Sequence, residues 1–291
     1  MLTNTIKTMY SMWFKPGKFA PVLRYALNPL KPYLCRMSRY FLTLSYNGTV
    51  FNGWQAQENT SNTVQQVLNE KMSMILQEKI ELLGCGRTDT GVSAKNFIAH
   101  FNSDCADLIS RKSHWIYKFN TVLPVEIAVQ DIRAVREEAH ARFDATLRTY
   151  YYYIHQQKDP FINNFSCYVY GELDFELMNK AAAILLEYED FTSFSKLHSQ
   201  TRTNNCRITK AVWHKSNPHE WRFTISADRF LRGMVRAIVG TLIQVGRSKI
   251  TLNDFRKIIE ARDRCAAGNN APANALFLVG IHYPKKLFIE H

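Results

Sequence analysis

Six cysteines are spread over 291 residues, and none forms Cys-x-x-Cys or joins a His/Cys cluster at zinc-finger spacing. The scatter argues against a disulfide scaffold and suits a reducing compartment, so a cytoplasmic location is expected. No run of about 18 apolar residues occurs, so no membrane-spanning helix is expected. The most apolar long segment, around Met234 to Val245, is interrupted by Arg236. Low-complexity tracts and short repeats are missing. So are the phosphate-binding patterns Gly-x-x-x-x-Gly-Lys-Ser/Thr and Gly-x-Gly-x-x-Gly, which disfavours a nucleotide-hydrolysing enzyme.

Acidic residues are scarce. Asp and Glu number 25 against 37 Lys and Arg, a formal net charge of +12. Such a surface favours polyanionic partners, nucleic acid above all, although a protein can also simply be basic. Half of the excess lies in residues 1–36, which carry Lys7, Lys15, Lys18, Arg24, Lys31 and Arg36 and no acid. That stretch mixes Lys, Pro and aromatics without a sustained period. Residues 1–37 are therefore expected to be a basic leader, disordered or belonging to a mis-called start, with the functional protein beginning at Met37. The remainder is still basic in its own right.

Regular patterning begins at Tyr40. Alternation predicts strands over Tyr40–Tyr46, Ile80–Leu83, Phe97–Phe101, Ile127–Val135, Tyr150–His155, Trp221–Ser226 and Leu276–Tyr283. Helical spacing predicts Thr63–Leu76, capped by Asn62 with Gln65 three residues on, and then Phe175–Leu186, Phe230–Val245 and Leu252–Ala261. Strands and helices interleave without a strict βαβ rhythm, so the fold class is α+β. Two halves are expected, 38–142 and 143–291.

The chemistry concentrates in residues 84–94, Gly-Cys-Gly-Arg-Thr-Asp-Thr-Gly-Val-Ser-Ala. Three glycines permit tight turns and close approach of a ligand. Asp89 sits among them, beside Arg87 and two hydroxyls. On pattern alone this is either a functional carboxylate or a tight turn whose Asp caps a backbone amide.

Gly86-Arg87-Thr88-Asp89-Thr90-Gly91-Val92 resembles the catalytic loop of the TruA-type tRNA pseudouridine synthase family. Further segments follow the family in order: Tyr46-Asn47-Gly48, Gly53-Trp54-Gln55-Ala56-Gln57, Thr63-Val64-Gln65, Asn120-Thr121-Val122-Leu123-Pro124 and Phe143-Asp144-Ala145-Thr146 with Arg148-Thr149-Tyr150. Then come Asp190-Phe191-Thr192-Ser193-Phe194, Arg229-Phe230-Leu231 with the run Met234 to Gly240, Ala271-Pro272, Leu276-Phe277-Leu278 and Tyr283-Pro284. The match is collinear over roughly residues 39–284.

The resemblance implies two RRM-like or ferredoxin-like halves sharing a mainly antiparallel sheet flanked by helices. It also implies a homodimer and isomerisation of uridines 38–40 in the anticodon stem-loop of tRNA. That reaction breaks the C1′–N1 bond, turns the uracil and forms a C1′–C5 bond. It involves no redox change and no group donor, so neither cofactor nor metal is expected. The target base must leave its stack, at a cost of a few kcal/mol.

Carried over residue by residue, Asp89 is the catalytic carboxylate. It would attack C1′ or C6 or abstract the 2′ proton, and the sequence does not choose. Burial penalises a charged carboxylate, and Arg236 matches the family's ion-pair partner. Arg87 matches the arginine that replaces the flipped base or clamps its phosphate. Tyr150 matches the tyrosine that stacks on the uracil. Lys95, Arg111, Lys112, Arg148, Arg202, Arg207, Arg229 and Arg232 are candidate phosphate contacts. Trp54 and Gln55 could touch RNA, although Trp54 equally suits a core. The chain departs from the family pattern at Ser93, usually His, and at Thr90, Glu126, Gly233 and Ala275. Losing that histidine removes a candidate RNA or loop contact. Gly233 inside a helix would cost on the order of 1 kcal/mol against Ala. A silent tRNA-binding or chaperone protein on the same scaffold is the competing reading; the presence of Asp89, Arg87, Tyr150 and Arg236 together favours the enzyme.

Overall fold

Fourteen regular elements make up the computed structural model, which describes residues 37–196 and 203–289. Residues 1–36 of the expected leader, and Arg202, lie outside the described residues. In chain order the elements are β1 (Ser38–Tyr46), α1 (Val64–Leu76), β2 (Leu83–Gly84), β3 (Ser93–Ser103), α2 (Lys112–Val122), β4 (Ile127–Val135) and β5 (Leu147–His155). There follow β6 (Cys167–Tyr168), α3 (Phe175–Ile184), β7 (Ile208–Asn217), β8 (Glu220–Ala227), α4 (Met234–Gly246), α5 (Leu252–Glu260) and β9 (Leu276–His282).

All nine strands join one sheet. Its main path runs β4-β1-β3-β9-β5-β8-β7, with β2 beside β3 and β6 beside β5. The architecture is α+β, as the patterning predicted. Pairing is antiparallel except at β5–β6 and at β3–β9, where only Ser93–Phe277 and Ala94–Leu278 pair in parallel. β9 thus lies between β3 and β5, which it pairs antiparallel. Two apolar clusters flank this seam. One holds Leu42, Trp54, Leu68, Phe97 and Phe119; the other holds Tyr152, Phe191, Phe194, Phe223 and most of α4. Tyr150 packs against both. No helix among the described residues is long and apolar enough to cross a membrane.

Several local expectations are corrected. Ile80–Leu83 forms almost no ladder; only Leu83 and Gly84 pair, with His100 and Ala99. Side chains of α1 serve its backbone instead. Ser73 Oγ accepts from the Ile80 amide, Asn69 Oδ1 accepts from the Leu82 amide, and Gln65 Nε2 donates to the Leu82 carbonyl. Helix side chains thus meet the backbone's hydrogen-bonding demand that a neighbouring strand would otherwise meet.

The cap of α1 is Thr63, whose hydroxyl accepts from the Gln66 amide, while Asn62 donates to the Val50 carbonyl. Helix α4 begins at Met234, not Phe230. Gly233 is its N-cap, left-handed at φ 73°. Gly233 is therefore favoured there, and the helix-interior penalty does not apply. Helix α2 and strand β7 had no sequence signal. α2 buries only Phe119 and has no side-chain cap, and edge strand β7 buries only Ile208 and Trp213.

Candidate active site

The Gly84–Ala94 loop leaves the sheet after β2 and returns at β3. The Cys85 amide donates to the Ile98 carbonyl at 2.8 Å, which fixes its start. Thr88 anchors the middle. Its hydroxyl lies 2.9 Å from the buried Tyr46 hydroxyl, and its carbonyl accepts from the Trp54 amide at 3.2 Å. Trp54 is core, stacked on Phe97 with ring centroids 4.0 Å apart, and is not an RNA platform. The chain then turns at Asp89–Val92, closed by the Val92 amide on the Asp89 carbonyl, with Gly91 at φ 84°. Beyond the turn Ser93 faces inward, 1% exposed, and its hydroxyl accepts from the Gly48 amide at 3.0 Å. Position 93 is therefore buried, and the serine holds the loop's far end to the Asn47–Gly48 turn.

With Thr88 pinned inward, Asp89 projects from the turn, its side chain 26% exposed. Two arginines bracket its carboxylate, Arg232 from the β8–α4 connection and Arg236 from the first turn of α4. Arg232 Nε donates to Oδ1 at 3.4 Å, and an Arg236 terminal nitrogen lies 3.9 Å from Oδ2. Arg236 is itself fixed: its Nε donates to the Ala271 carbonyl at 2.7 Å, and the Ala271 amide donates to the Arg236 carbonyl at 3.0 Å. Sequence reasoning placed Arg232 among the phosphate contacts, yet it makes the closer contact to Asp89. Arg232 precedes the left-handed N-cap Gly233, outside α4, so helical spacing gave no signal for it.

Tyr150 stands on β5, half-buried, with the Phe230 ring edge-on at 5.1 Å. Burial pushes its phenol well above the ordinary range. The Cys85 thiol and Asp89 add to the rise, and Arg148 opposes it. Tyr150 therefore carries its proton at neutral pH. Its neighbour two residues on, Tyr152, is fully buried, with its hydroxyl donating to the Pro272 carbonyl.

The structure thus brings Asp89, Arg236 and Tyr150 together. Arg87 lies in the same loop, exposed. Its charge, with those of Arg148 and Arg229, adds to burial in lowering the pKa of Arg142. Arg142 had not been singled out from sequence. Among the described residues, none of these four arginines forms an ion pair with an acid.

Other proposed RNA contacts are otherwise engaged. Arg111 pairs with Asp107 at 3.0 Å and Lys112 with Asp131 at 2.7 Å. Lys95 lies over the Tyr153 and Phe277 rings. Gln55 donates to Gln65. Arg148 donates only to backbone carbonyls. Arg207 and Arg229 remain available beside Asp228, whose carboxylate accepts from both of their backbone amides.

Residues 181–284 match the family model described as tRNA pseudouridine synthase. Curated relatives extend the likeness across the loop. The chain is 51% identical over 257 residues to tRNA pseudouridine synthase A of Bacteroides thetaiotaomicron, covering 87% of this chain and 94% of that protein. It is 49% identical over 254 residues to the protein of the same name from Porphyromonas gingivalis, covering 87% and 100%. A third, from Parabacteroides distasonis, is 51% identical over 252 residues, covering 87% and 98%.

Proposed function

The chain belongs to the tRNA pseudouridine synthase A family of isomerases acting on uridine in tRNA, and from that premise we propose that its targets are uridines 38–40 of the anticodon stem-loop. Asp89 is the catalytic carboxylate, Arg236 its ion-pair partner, Tyr150 the stacking group for the target uracil, and Arg87 the residue that assists base flipping. The observation that carries this reading is the Asp89 carboxylate held between Arg232 and Arg236. A carboxylate there can open the reaction by attack at C1′ or C6 or by taking the 2′ proton. The reaction requires neither metal nor cofactor, because every atom of the product is already in the uridine.

The chain is read as two halves, 38–142 and 143–291, acting as a cytoplasmic homodimer. The five cysteines of the described residues are free thiols, which suits a reducing compartment. Exposed Phe161, Phe165, Tyr168 and Tyr170 supply apolar surface of the kind that oligomer contacts cover.

The test is incubation with unmodified tRNA followed by carbodiimide primer extension. Pseudouridine at positions 38–40 is expected, and its loss in Asp89→Asn. No product at low salt overturns the reading. Full activity in Asp89→Asn overturns the residue assignment.

A further inference from the structure

Arg148 has the most saturated polar side chain near the site, and none of its partners is an acid. Its Nε and one terminal nitrogen donate to the Cys85 carbonyl, at 3.4 and 3.1 Å. The same terminal nitrogen donates to the Arg142 carbonyl at 2.5 Å. The other donates to the carbonyls of Ala145 at 3.2 Å and Asp228 at 2.6 Å. A guanidinium has five N–H donors and no acceptor. All five are spent, so none is left for a phosphate.

The four carbonyls belong to three separate stretches of chain. Cys85 opens the loop that carries Arg87 and Asp89. Arg142 and Ala145 lie in the segment leading into β5. Asp228 opens the β8–α4 connection, which carries Arg229, Phe230 and Arg232. Asp89 and Arg232 are 143 residues apart in sequence, yet their 3.4 Å contact needs the first and third stretches in fixed register. No backbone hydrogen bond outside the regular elements joins residues 85–92 to residues 228–233. The Arg148 side chain spans that gap.

We propose that Arg148 is a positioning residue for the isomerisation. Its guanidinium fixes the Asp89 loop against the Arg232 loop, and so sets the carboxylate's geometry without touching RNA. The proposal rests on the reading of Asp89 given above. A planar fork with five donors is required, because lysine offers three donors from a single atom and cannot reach carbonyls arrayed around a plane. The loops need not separate far for the rate to suffer, since a displacement of about 1 Å at a reacting group can cost around a hundredfold.

The experiment compares wild type with Arg148→Ala, Arg148→Lys and Arg148→Gln. It measures single-turnover pseudouridine formation at saturating enzyme, tRNA Kd, and the dependence of Kd on salt. In the variants the rate should fall by about 10- to 100-fold, with Kd held within about twofold and an unchanged salt slope. Arg148→Ala combined with Arg232→Ala should lose less than the product of the two single losses, because both act on one contact. A purely structural role would give multiplicative losses.

A tenfold weaker Kd with a salt slope reduced by about one would make Arg148 a phosphate contact and overturn the proposal. So would an undiminished rate. Should Arg148→Ala fail to melt cooperatively, Arg148→Lys and Arg148→Gln carry the same measurements, and full rate in either overturns the proposal. A wild type that forms no pseudouridine defeats the functional reading instead, whereas an active wild type with equally active variants defeats only this inference.

Discussion

Arg236 and Ala271 grip each other through two hydrogen bonds, side-chain Nε to carbonyl at 2.7 Å and amide to main-chain carbonyl at 3.0 Å. The guanidinium that faces Asp89 is thereby anchored before any substrate arrives. Preorganised charge of this kind costs no rearrangement during reaction.

Removing that charge should slow catalysis. Arg236→Ala leaves Asp89 with only the exposed Arg232, and a loss of about a hundredfold in single-turnover rate is expected. Arg236→Lys keeps a cation but cannot serve Ala271 and Asp89 at once, so it should recover only part of the rate. Rapid-quench kinetics checks both; full activity in Arg236→Ala would remove the residue from the site.

Tyr150 should separate binding from chemistry. Tyr150→Phe keeps the ring against Phe230 and removes only the protonated hydroxyl. Expected are a tRNA Kd within about twofold of wild type and a rate lower by about a hundredfold. Tyr150→Leu should lose affinity as well. Filter binding alongside the rate assay distinguishes them, and an unimpaired Tyr150→Phe would leave stacking as the sole role.

At Gly233 the structure reverses the sign expected from a helix-interior glycine. With φ at 73°, alanine there is strained although the space is open, the nearest atom being Asn270 Nδ2 at 3.7 Å from an added Cβ. Gly233→Ala should destabilise by about 1 kcal/mol, and Gly233→Asn by less. Urea midpoints at unchanged slope report this; a stabilised Gly233→Ala would contradict the left-handed cap.

Folding stability should weaken in mild acid through His100. This buried imidazole accepts from the Ala141 amide through Nδ1 and lies 4.5 Å from the His140 ring. Burial first, then the His140 and Arg39 charges, lower its pKa to about 4, against a small opposing effect of Asp144. The unfolded chain takes up this proton near pH 6.5, whereas the folded chain does so only near 4. The contribution is therefore complete above about pH 6.5 and falls as pH drops, by up to roughly 3 kcal/mol at pH 4. His140, also lowered, adds in the same direction. Urea unfolding between pH 4.5 and 7.5 should show this slope, and His100→Asn should flatten it.

The pattern of the Asp89 loop alone left a functional carboxylate and a tight turn both open. The collinear family resemblance singled out Asp89 and Arg236, and the apolar neighbours of Arg236 marked it as lying on a buried helix. The part played by Arg148 was not legible. An arginine reads the same in sequence whether it meets phosphate or five carbonyl lone pairs, and its partners at 85 and 228 lie 63 and 80 residues away. Ser93 was likewise unreadable, since only the fold shows that its hydroxyl serves the Gly48 amide. Among the elements, Ile80–Leu83 looked like a strand because Ile80 and Leu82 alternate with Glu81; both are buried, but side chains of α1 rather than a neighbouring strand serve their backbone. Helix α2 and strand β7 escaped notice because each buries too few residues to impose a period.

The place of β9 bears on how this protein is made. The last strand in chain order is inserted between β3 and β5, so a ribosome must release residues as late as His282 before the sheet can become continuous. Until then the facing edges of β3 and β5 are unpaired, a state open to aggregation and to chaperone capture. The interval between synthesis of Asp89 and assembly of its surroundings is thus set by translation, at roughly 5–20 residues per second.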